Sequence, residues 1–470
     1  MALMKRFAII SAAVLFCLAG TIAPACAQPD QQGTKQTKLE AQAKPEQRKD
    51  NKQAKSEAQR QERAQRQEKQ QQDGAQQQRL AEGNDLNSEP AGIDPPSVGY
   101  QELRKALLRY TRLAREDTGE KLPMPTDVGY PGPPYPGYIR LTQLLRLLGD
   151  LPDDYSAAAA SSQAFDPALL QAVGHFQERH GLSATRYLDA ETIEQLNIPL
   201  SYRVEQIRLA LERYRRLRND SPQATIVVNI PALRLYAFNK EGRVVLTMKV
   251  DVGDDFKGSR TPVLEDSMEY LVFRPYWDVP LSIQRKDYVP FVAQHPGYLA
   301  QHHFDFKTST GERVAQGEVT KEVLDELRAG TLRLRQRPGS DNPMGMVKFV
   351  FPNRYHVYLH DIPERDFDFV LPQRAVSHGC VHVEKPAELA AWVLRNQPGW
   401  TLERVQQAMH SGQNNVTVKL SKPLPVLIVY STVSAGEDGD IHFYDDIYGY
   451  DADLLQVLAQ GRSTSEEKLK

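Results

Sequence analysis

Cysteine is scarce in this sequence, whose 470 residues include three. Two of them, Cys17 and Cys26, lie in an N-terminal segment that has the features of an export signal. If that segment is removed, Cys380 remains alone and an internal disulfide is excluded. A single cysteine in an oxidising compartment is either a buried, inert residue or a thiol kept for its chemistry.

An excess of charge of one sign is also lacking. The chain has 58 basic and 60 acidic side chains and a formal charge of -2. Nucleic-acid partners usually require a surplus of positive charge, so we predict none. Although there are 11 histidines, no Cys/His group has the spacing of zinc ligands. We therefore predict neither a metal site nor a cofactor.

The one long apolar run lies at the N-terminus. Two basic residues precede a segment of apolar and small residues from Phe7 to Ala23, and small residues around Cys26 supply a cleavage site. We predict a signal peptide over residues 1–27 and export from the cytoplasm. The alternative is an uncleaved segment that tethers the protein to the inner membrane. A lipid on Cys26 is a weaker alternative, because no large aliphatic residue precedes it at the usual place.

Aromatic and large aliphatic residues are missing from the segment that follows. Between Gln28 and Asn84 there is no aromatic residue, and only Leu39 and Leu80 are apolar and larger than alanine. Such a segment cannot bury enough apolar surface to offset its ordering entropy. We predict a disordered, Gln/Lys/Glu-rich tether over residues 28–94, the alternative being a spacer without specific function.

From about Tyr100 the apolar residues recur three and four positions apart, which predicts helices. Two segments, Phe165 to Leu182 and Leu188 to Ile198, resemble the small three-helix peptidoglycan-binding domain. We predict an all-α scaffold over residues 95–221 with a peptidoglycan-binding-like domain at about 160–200. The alternative is a helical packing domain that binds no glycan.

Beyond Pro222 the pattern changes to alternation and β-branched residues, which predicts strands. The predicted strands are Ile226–Asn229, Leu233–Phe238, Val244–Val252, Glu269–Phe273, Val347–Phe351, Val357–His360, Val416–Leu420, Val426–Ser431 and Ile441–Tyr444. We predict a mainly β catalytic domain over residues 222–450 and a C-terminal tail over residues 451–470. The fold class is therefore α+β.

A polar, partly helical stretch at about 284–339 interrupts the predicted strands. Connections of this length with some structure of their own are usually functional. We predict a helical lid insertion that closes over a cleft. The alternative is a packed subdomain that only stabilises the fold.

Two segments carry the residue types that cysteine acyl transfer needs: Tyr355–Asp361 (YHVYLHD) and Ser377–Val383 (SHGCVHV). This chemistry requires a thiolate, an imidazole to take its proton, a group that orients the ring, and donors for the oxyanion. Strand alternation places His356, Tyr358 and His360 on one face. A neighbouring imidazole and oriented amides predict a thiol pKa for Cys380 below its ordinary value.

SHGCVHV and the upstream LHD together resemble the signature of the L,D-transpeptidase catalytic domain, which is His followed by Gly or Asp, then S-x-G-C-x-R. Supporting segments are Ile226–Tyr236, Arg274–Pro280, Arg337–Asn353 and Tyr444–Asp451. The resemblance is closest to the large Gram-negative branch, which has a helical scaffold, a peptidoglycan-binding-like domain and a lid. It spans nearly everything after Tyr100 and implies a periplasmic location.

The resemblance implies roles for individual residues. Cys380 would be the nucleophile and His360 the general base, with the imidazole oriented by the backbone carbonyl of Asp361. The amides of Gly379 and Cys380 would bind the oxyanion. Residues expected to line the substrate or to support the site are Ser377, His378, Tyr358, Trp277 and His382. Trp277 is either a cleft wall or a structural aromatic, and His382 stands where the family has Arg.

The implied reaction is acyl transfer on peptidoglycan stem peptides. Cys380 would form a thioester with release of terminal D-Ala, and an amine would take the acyl group to make a 3,3 crosslink. One alternative is an L,D-carboxypeptidase or endopeptidase, in which water is the acceptor. Another is a wall-binding protein whose catalytic domain is degenerate because of His382. Other wall-synthesis proteins are candidate partners, and the sequence leaves the acceptor open.

Overall fold

The computed structural model describes residues 98–125, 135–155, 165–216, 225–255, 258–308, 310–314, 318–363, 369, 374–436 and 439–459. The predicted signal peptide and tether lie outside these residues. Within the described part of the chain, no helix is both long and apolar enough to cross a membrane.

Helices form the first described region, where apolar residues follow helical spacing. They are α1 (Val98–Glu116), α2 (Tyr138–Leu148), α3 (Pro167–Arg179), α4 (Ala190–Leu196) and α5 (Leu200–Arg216). The Asp166 side chain accepts from the Leu169 amide and Pro167 occupies the first turn, so α3 begins there. Helix α2 ends at Gly149, whose φ of 87° is left-handed.

The core of this helical region includes residues from far along the chain. A hairpin of β14 (Val433–Ala435) and β15 (Ile441–Phe443) places Val433, Ile441 and Phe443 among the buried side chains of the helices. The hairpin falls within the predicted catalytic domain at 222–450 but packs with the helical region. The predicted domain boundaries stay predictions.

The catalytic region is built on one large sheet. Its strands are β1 (Thr225–Asn229), β2 (Arg234–Phe238), β3 (Val244–Gly253), β4 (Leu264–Phe273), β9 (Val347–Val350), β10 (Leu359–His360), β11 (Ala375–Ser377), β12 (Val381–Val383) and β13 (Val416–Val429). Their order is β11-β3-β12-β10-β9-β4-β13-β1-β2. Because β2 also pairs with β3, the sheet closes on itself. With helices in the first described region and this sheet after it, the fold is α+β.

Alternating residues of these strands make one apolar core. Val250, Val252, Phe349 and Val381 are fully buried in it. Helices α10 (Pro386–Val393) and α11 (Leu402–His410) contribute further buried side chains to the same core. The intervening residues of the strands face the other way and are free to be polar.

The predicted lid insertion is mixed rather than only helical. Its helical segments are α6 (Leu281–Ile283), a π turn (Gln284–Tyr288), α7 (Val289–Val292), α8 (Tyr298–Gln301) and α9 (Lys321–Ala329). Strands β5 (Trp277–Asp278), β6 (Phe304–Thr308), β7 (Arg313–Val314) and β8 (Leu332–Gln336) form a second sheet in the order β5-β8-β6-β7. The short, charge-rich strands gave little signal in the sequence, because their pairing depends on contacts distant in the chain.

Part of the predicted C-terminal tail is a helix, α12 (Tyr450–Ala459). Asp451 is completely buried, and its carboxylate accepts from Arg213 and Thr432. Leu454 is also buried. These contacts hold residues 451–459 against the folded protein.

Candidate active site

Four neighbouring strands each present one polar residue opposite the apolar core. These residues are Lys348 on β9, His360 on β10, His382 on β12 and Asp251 on β3. Lys348 is in register with His360, His360 with His382, and His382 with Asp251. Directly paired residues lie on the same face of a sheet. The four side chains therefore form one line across the sheet, here called the polar row.

Cys380 lies beside the polar row, immediately before β12. The preceding Gly379 has a φ of 111°, which favours glycine. The Ser377 hydroxyl donates to the carbonyl of Cys380 and accepts from the Gly379 amide at 3.0 Å. Thr261 donates to the Gly379 carbonyl at 3.0 Å. The Gly379 amide, which we expected to serve the oxyanion, is thus engaged within the loop, because the positive φ turns it back toward Ser377. The amide of Cys380 remains the predicted donor.

His360 is 3% exposed and held by the residue that follows it. Its Nδ1 lies 2.7 Å from the Asp361 carbonyl oxygen. We assign the proton to Nδ1, because a carbonyl only accepts, and this leaves the Nε2 lone pair to take a proton. The Asp361 carboxylate instead accepts from the amides of Met346 and Ile362, each at 2.8 Å. The orienting contact is therefore the backbone carbonyl.

Burial dominates the protonation of both groups. It raises the pKa of the Cys380 thiol, against smaller opposing effects of a backbone hydrogen bond with Tyr358 and of the Lys348 charge. It also lowers the pKa of His360, and charge on His382 and Lys348 lowers it further. The expected low thiol pKa is wrong, because the effect of burial outweighs the opposing effects of Tyr358 and Lys348. The resting pair is thiol and neutral imidazole.

Lys348 and Tyr358 form the side of the site opposite His382. The Lys348 ammonium lies 3.8 Å from the centre of the Tyr358 ring. Tyr358 directly precedes β10 and also packs edge-on against Phe351. Sequence reasoning missed Lys348, although a single charge between the buried Val347 and Phe349 was a usable signal.

The insertion contacts the loop that holds Cys380. Asp287, in the π turn, has its Oδ2 3.8 Å from Nε2 of His378. Burial lowers the pKa of His378, and the Asp287 charge partly opposes this. His378 therefore contacts the insertion, two residues from Cys380. Mobility of the insertion as a lid stays a prediction.

Comparison with known proteins bears on this arrangement. Residues 223–411 match the family model of the L,D-transpeptidase catalytic domain, called YkuD. That segment contains the polar row and Cys380. Residues 223–411 are therefore similar to L,D-transpeptidase catalytic domains.

A relative from Haemophilus influenzae, named "Putative L,D-transpeptidase", is 32% identical over 229 residues, which cover 49% of this chain and 45% of the relative. The chain thus spans less than half the length of that relative. An L,D-transpeptidase structure from Xylanimonas cellulosilytica matches at 14% identity and a TM-score of 0.19, over 66% of this chain and 98% of that one. A TM-score this low supports no argument.

His382 departs from the Arg of the L,D-transpeptidase signature, and the structure shows one consequence. Its Nδ1 lies 3.2 Å from Oδ2 of Asp251, which is fully buried. Oδ1 of Asp251 has no hydrogen-bond partner among the described residues. A forked guanidinium can donate to both oxygens of a carboxylate, whereas a single ring nitrogen reaches one. The His382 ring lies 4.8 Å from that of His360, between centres.

Two further expected residues have defined surroundings in the structure. Trp277, in β5, packs against Tyr288 and Phe304, with ring centres 5.8 and 6.3 Å away, and its role as a cleft wall stays a prediction. His356 is not on the strand face, since its φ of 55° belongs to a turn. The Asn353 side chain bonds the backbone of Tyr355 and Val357 and folds this segment into a loop. The His356 carbonyl lies 4.0 Å from Sγ of Cys380.

In the parts of the chain that the structure describes, no three His, Cys, Asp or Glu side chains are grouped so as to hold a metal ion. The polar row instead places two histidines between a lysine and an aspartate, beside a thiol. Such a group fits nucleophilic catalysis by a cysteine with a histidine base.

Proposed function

We propose that this protein is a cysteine-dependent L,D-transpeptidase of peptidoglycan stem peptides, with Cys380 as nucleophile and His360 as base. The observation that carries the proposal is the hydrogen bond from Nδ1 of His360 to the Asp361 carbonyl. It fixes the tautomer whose Nε2 can accept a proton, on the strand that neighbours the one following Cys380. The family of residues 223–411 supports the reaction class.

In the first half-reaction, Sγ of Cys380 attacks the carbonyl carbon of the third stem residue. The thiol proton passes to Nε2 of His360 as the carbon–sulfur bond forms. The tetrahedral intermediate then collapses, the bond to the terminal D-Ala nitrogen breaks, and His360 returns its proton to that nitrogen. Because both groups rest uncharged, proton transfer accompanies attack and no stable thiolate precedes it.

In the second half-reaction, the side-chain amine of another stem attacks the thioester carbon. His360 takes a proton from the amine as the new amide bond forms. The carbon–sulfur bond then breaks, and His360 returns the proton to the sulfur of Cys380. The product is a 3,3 crosslink. If water attacks instead, the product is a trimmed stem and the protein is a carboxypeptidase or endopeptidase.

The location and contacts of the protein complete the proposal. The apolar N-terminal segment supports export to the periplasm, where the substrate lies. We also propose that the helical region at about 160–200 contacts the wall, from its resemblance to peptidoglycan-binding domains.

The test is product analysis by mass spectrometry after incubation with purified stem peptides, using tetrapeptide and pentapeptide stems separately. Crosslinked dimers from tetrapeptide stems and loss of D-Ala are expected, with no product from a Cys380→Ala variant. Trimmed monomers without dimers would indicate hydrolysis rather than transpeptidation. No change with either stem would contradict enzymatic activity and favour a wall-binding protein with a degenerate site.

A further inference from the structure

Lys348 is a half-buried cation with no anion paired to it among the described residues. Its side chain is half-buried between core residues of β9, and its ammonium lies 3.8 Å from the centre of the Tyr358 ring. No carboxylate among the described residues comes within ion-pair distance of it. Removing a charge from water is costly unless a counter-ion compensates. Contact with one aromatic face offsets only part of that cost.

The neighbouring groups do not supply the counter-ion. Asp278 is near enough to favour the charged lysine, but its carboxylate is bound to Arg335 at 2.7 Å and Lys307 at 3.0 Å. The register partner of Lys348 in the polar row is His360, which is neutral at rest or positive when protonated.

The remaining candidate is the sulfur of Cys380, whose charged form would favour a charged Lys348. Burial raises the pKa of that thiol, so the sulfur is neutral before substrate arrives. Burial likewise lowers the pKa of Lys348. The resting site therefore holds a half-buried cation near Cys380, and the described residues supply no anion to it.

We propose that Lys348 binds a carboxylate of the acyl-donor peptide and thereby positions the scissile bond at Cys380. The inference deepens the proposed function and rests on it for the identity of the donor. A stem peptide offers two carboxylates close to that bond, one on the leaving D-Ala and one on the side chain of the third residue. Either would pair with the ammonium, so the chemical class recognised is a peptide carboxylate next to the cleaved bond.

The test measures binding rather than turnover, in a Cys380→Ala background that cannot react. Three synthetic tetrapeptides are titrated: the free acid, its terminal amide, and the amide of the third-residue carboxylate. Lys348→Met should weaken binding of the free acid at least tenfold, and Lys348→Arg should restore most of it. One of the two amides should bind the parent as weakly as the free acid binds Lys348→Met. The carboxylate blocked in that amide is the one that Lys348 recognises. The exposed Lys422, changed to Met, is the control and should bind like the parent.

The outcomes separate this inference from the proposed function. Equal affinity of Lys348→Met and the parent for the free acid overturns the inference, as does failure of the parent to bind the free acid. Equal losses for all three peptides also overturn it, because they indicate a structural role. If the free acid binds through Lys348 but product analysis shows no acyl transfer, carboxylate recognition stands and the enzymatic proposal fails.

Discussion

The large sheet and the helical region each hold a histidine in a polar network, with opposite electrostatics. His360 in the sheet is buried against a carbonyl, no carboxylate of the described residues pairs with it, and burial lowers its pKa well below the ordinary value. His175 on α3 lies between two carboxylates, 2.7 Å from Asp150 and 2.8 Å from Asp440. The hydrogen bond with Asp150 is the largest effect and raises the pKa of His175 to about 9.

The difference shows that the partner, more than the residue type, decides what a histidine does. A neutral imidazole with one free nitrogen can take a proton, so His360 suits catalysis. A charged imidazole whose two nitrogens both donate hydrogen bonds has no lone pair left to accept a proton. His175 instead joins α3 to the end of α2 and to the β14–β15 hairpin, across a long stretch of sequence.

The largest effect should come from removing the base. His360→Gln is expected to slow acylation of Cys380 by at least a thousandfold, about 4 kcal/mol of activation free energy, because no other group takes the proton. Intact mass after exposure to a carbapenem, which we expect to acylate Cys380, gives the rate. His378→Gln is the matched control and should lose less than tenfold, since it contacts the insertion. Equal losses in both variants would remove the distinction between the two histidines.

A smaller effect concerns the partner of the buried carboxylate in the polar row. His382→Ala should lower the free energy of unfolding by about 2 kcal/mol, because it leaves Asp251 buried without a donor. His382→Arg should recover this loss, since a guanidinium can reach both oxygens. Denaturant unfolding of both variants checks the prediction. Wild-type stability in His382→Ala would show that the hydrogen bond contributes nothing.

The pH dependence of Cys380 alkylation should differ from that of a free thiol. Burial raises the thiol pKa, so the rate with iodoacetamide should keep rising beyond the ordinary midpoint of about 8.5. At pH 7 we expect a rate below that of a free cysteine. A stopped-flow or mass-spectrometric pH series measures it. A midpoint below the ordinary value would restore the thiolate–imidazolium pair expected from the sequence.

The smallest effect should come from His175 in the helical region, which bonds Asp150 and Asp440. The raised pKa of His175 stabilises the fold fully below about pH 6.5, and this contribution is lost as pH rises through about 9. The side chain is 38% exposed, so solvent screening leaves about 1 kcal/mol.

His175→Gln should therefore lower the melting temperature more at pH 6 than at pH 9.5, without changing the acylation rate. Thermal scans at both pH values, together with the acylation assay, test whether His175 stabilises the fold through its charge. A melting difference that is independent of pH would mean that the charge of His175 does not stabilise the fold.

Much of the strand content could be predicted from the sequence, because alternation is local. The nine predicted strands overlap observed ones, but Val416–Leu420 and Val426–Ser431 are parts of one long β13. The predicted face containing His356 was wrong, since the Asn353 side chain offers the backbone an alternative to the strand. The sheet of the insertion was missed, because its strands are short and pair across many residues.

By itself, the sequence determined which chemistry was available. It supplies one cysteine outside the predicted signal peptide, a histidine 20 positions before that cysteine, and a glycine where the chain must turn. Tertiary structure decided how these groups work together. The polar row exists because β9, β10, β12 and β3 lie side by side in register, which no local pattern encodes. Protonation of Cys380 and His360 was likewise decided by burial, since desolvation depends on everything packed around a group rather than on its neighbours in the chain.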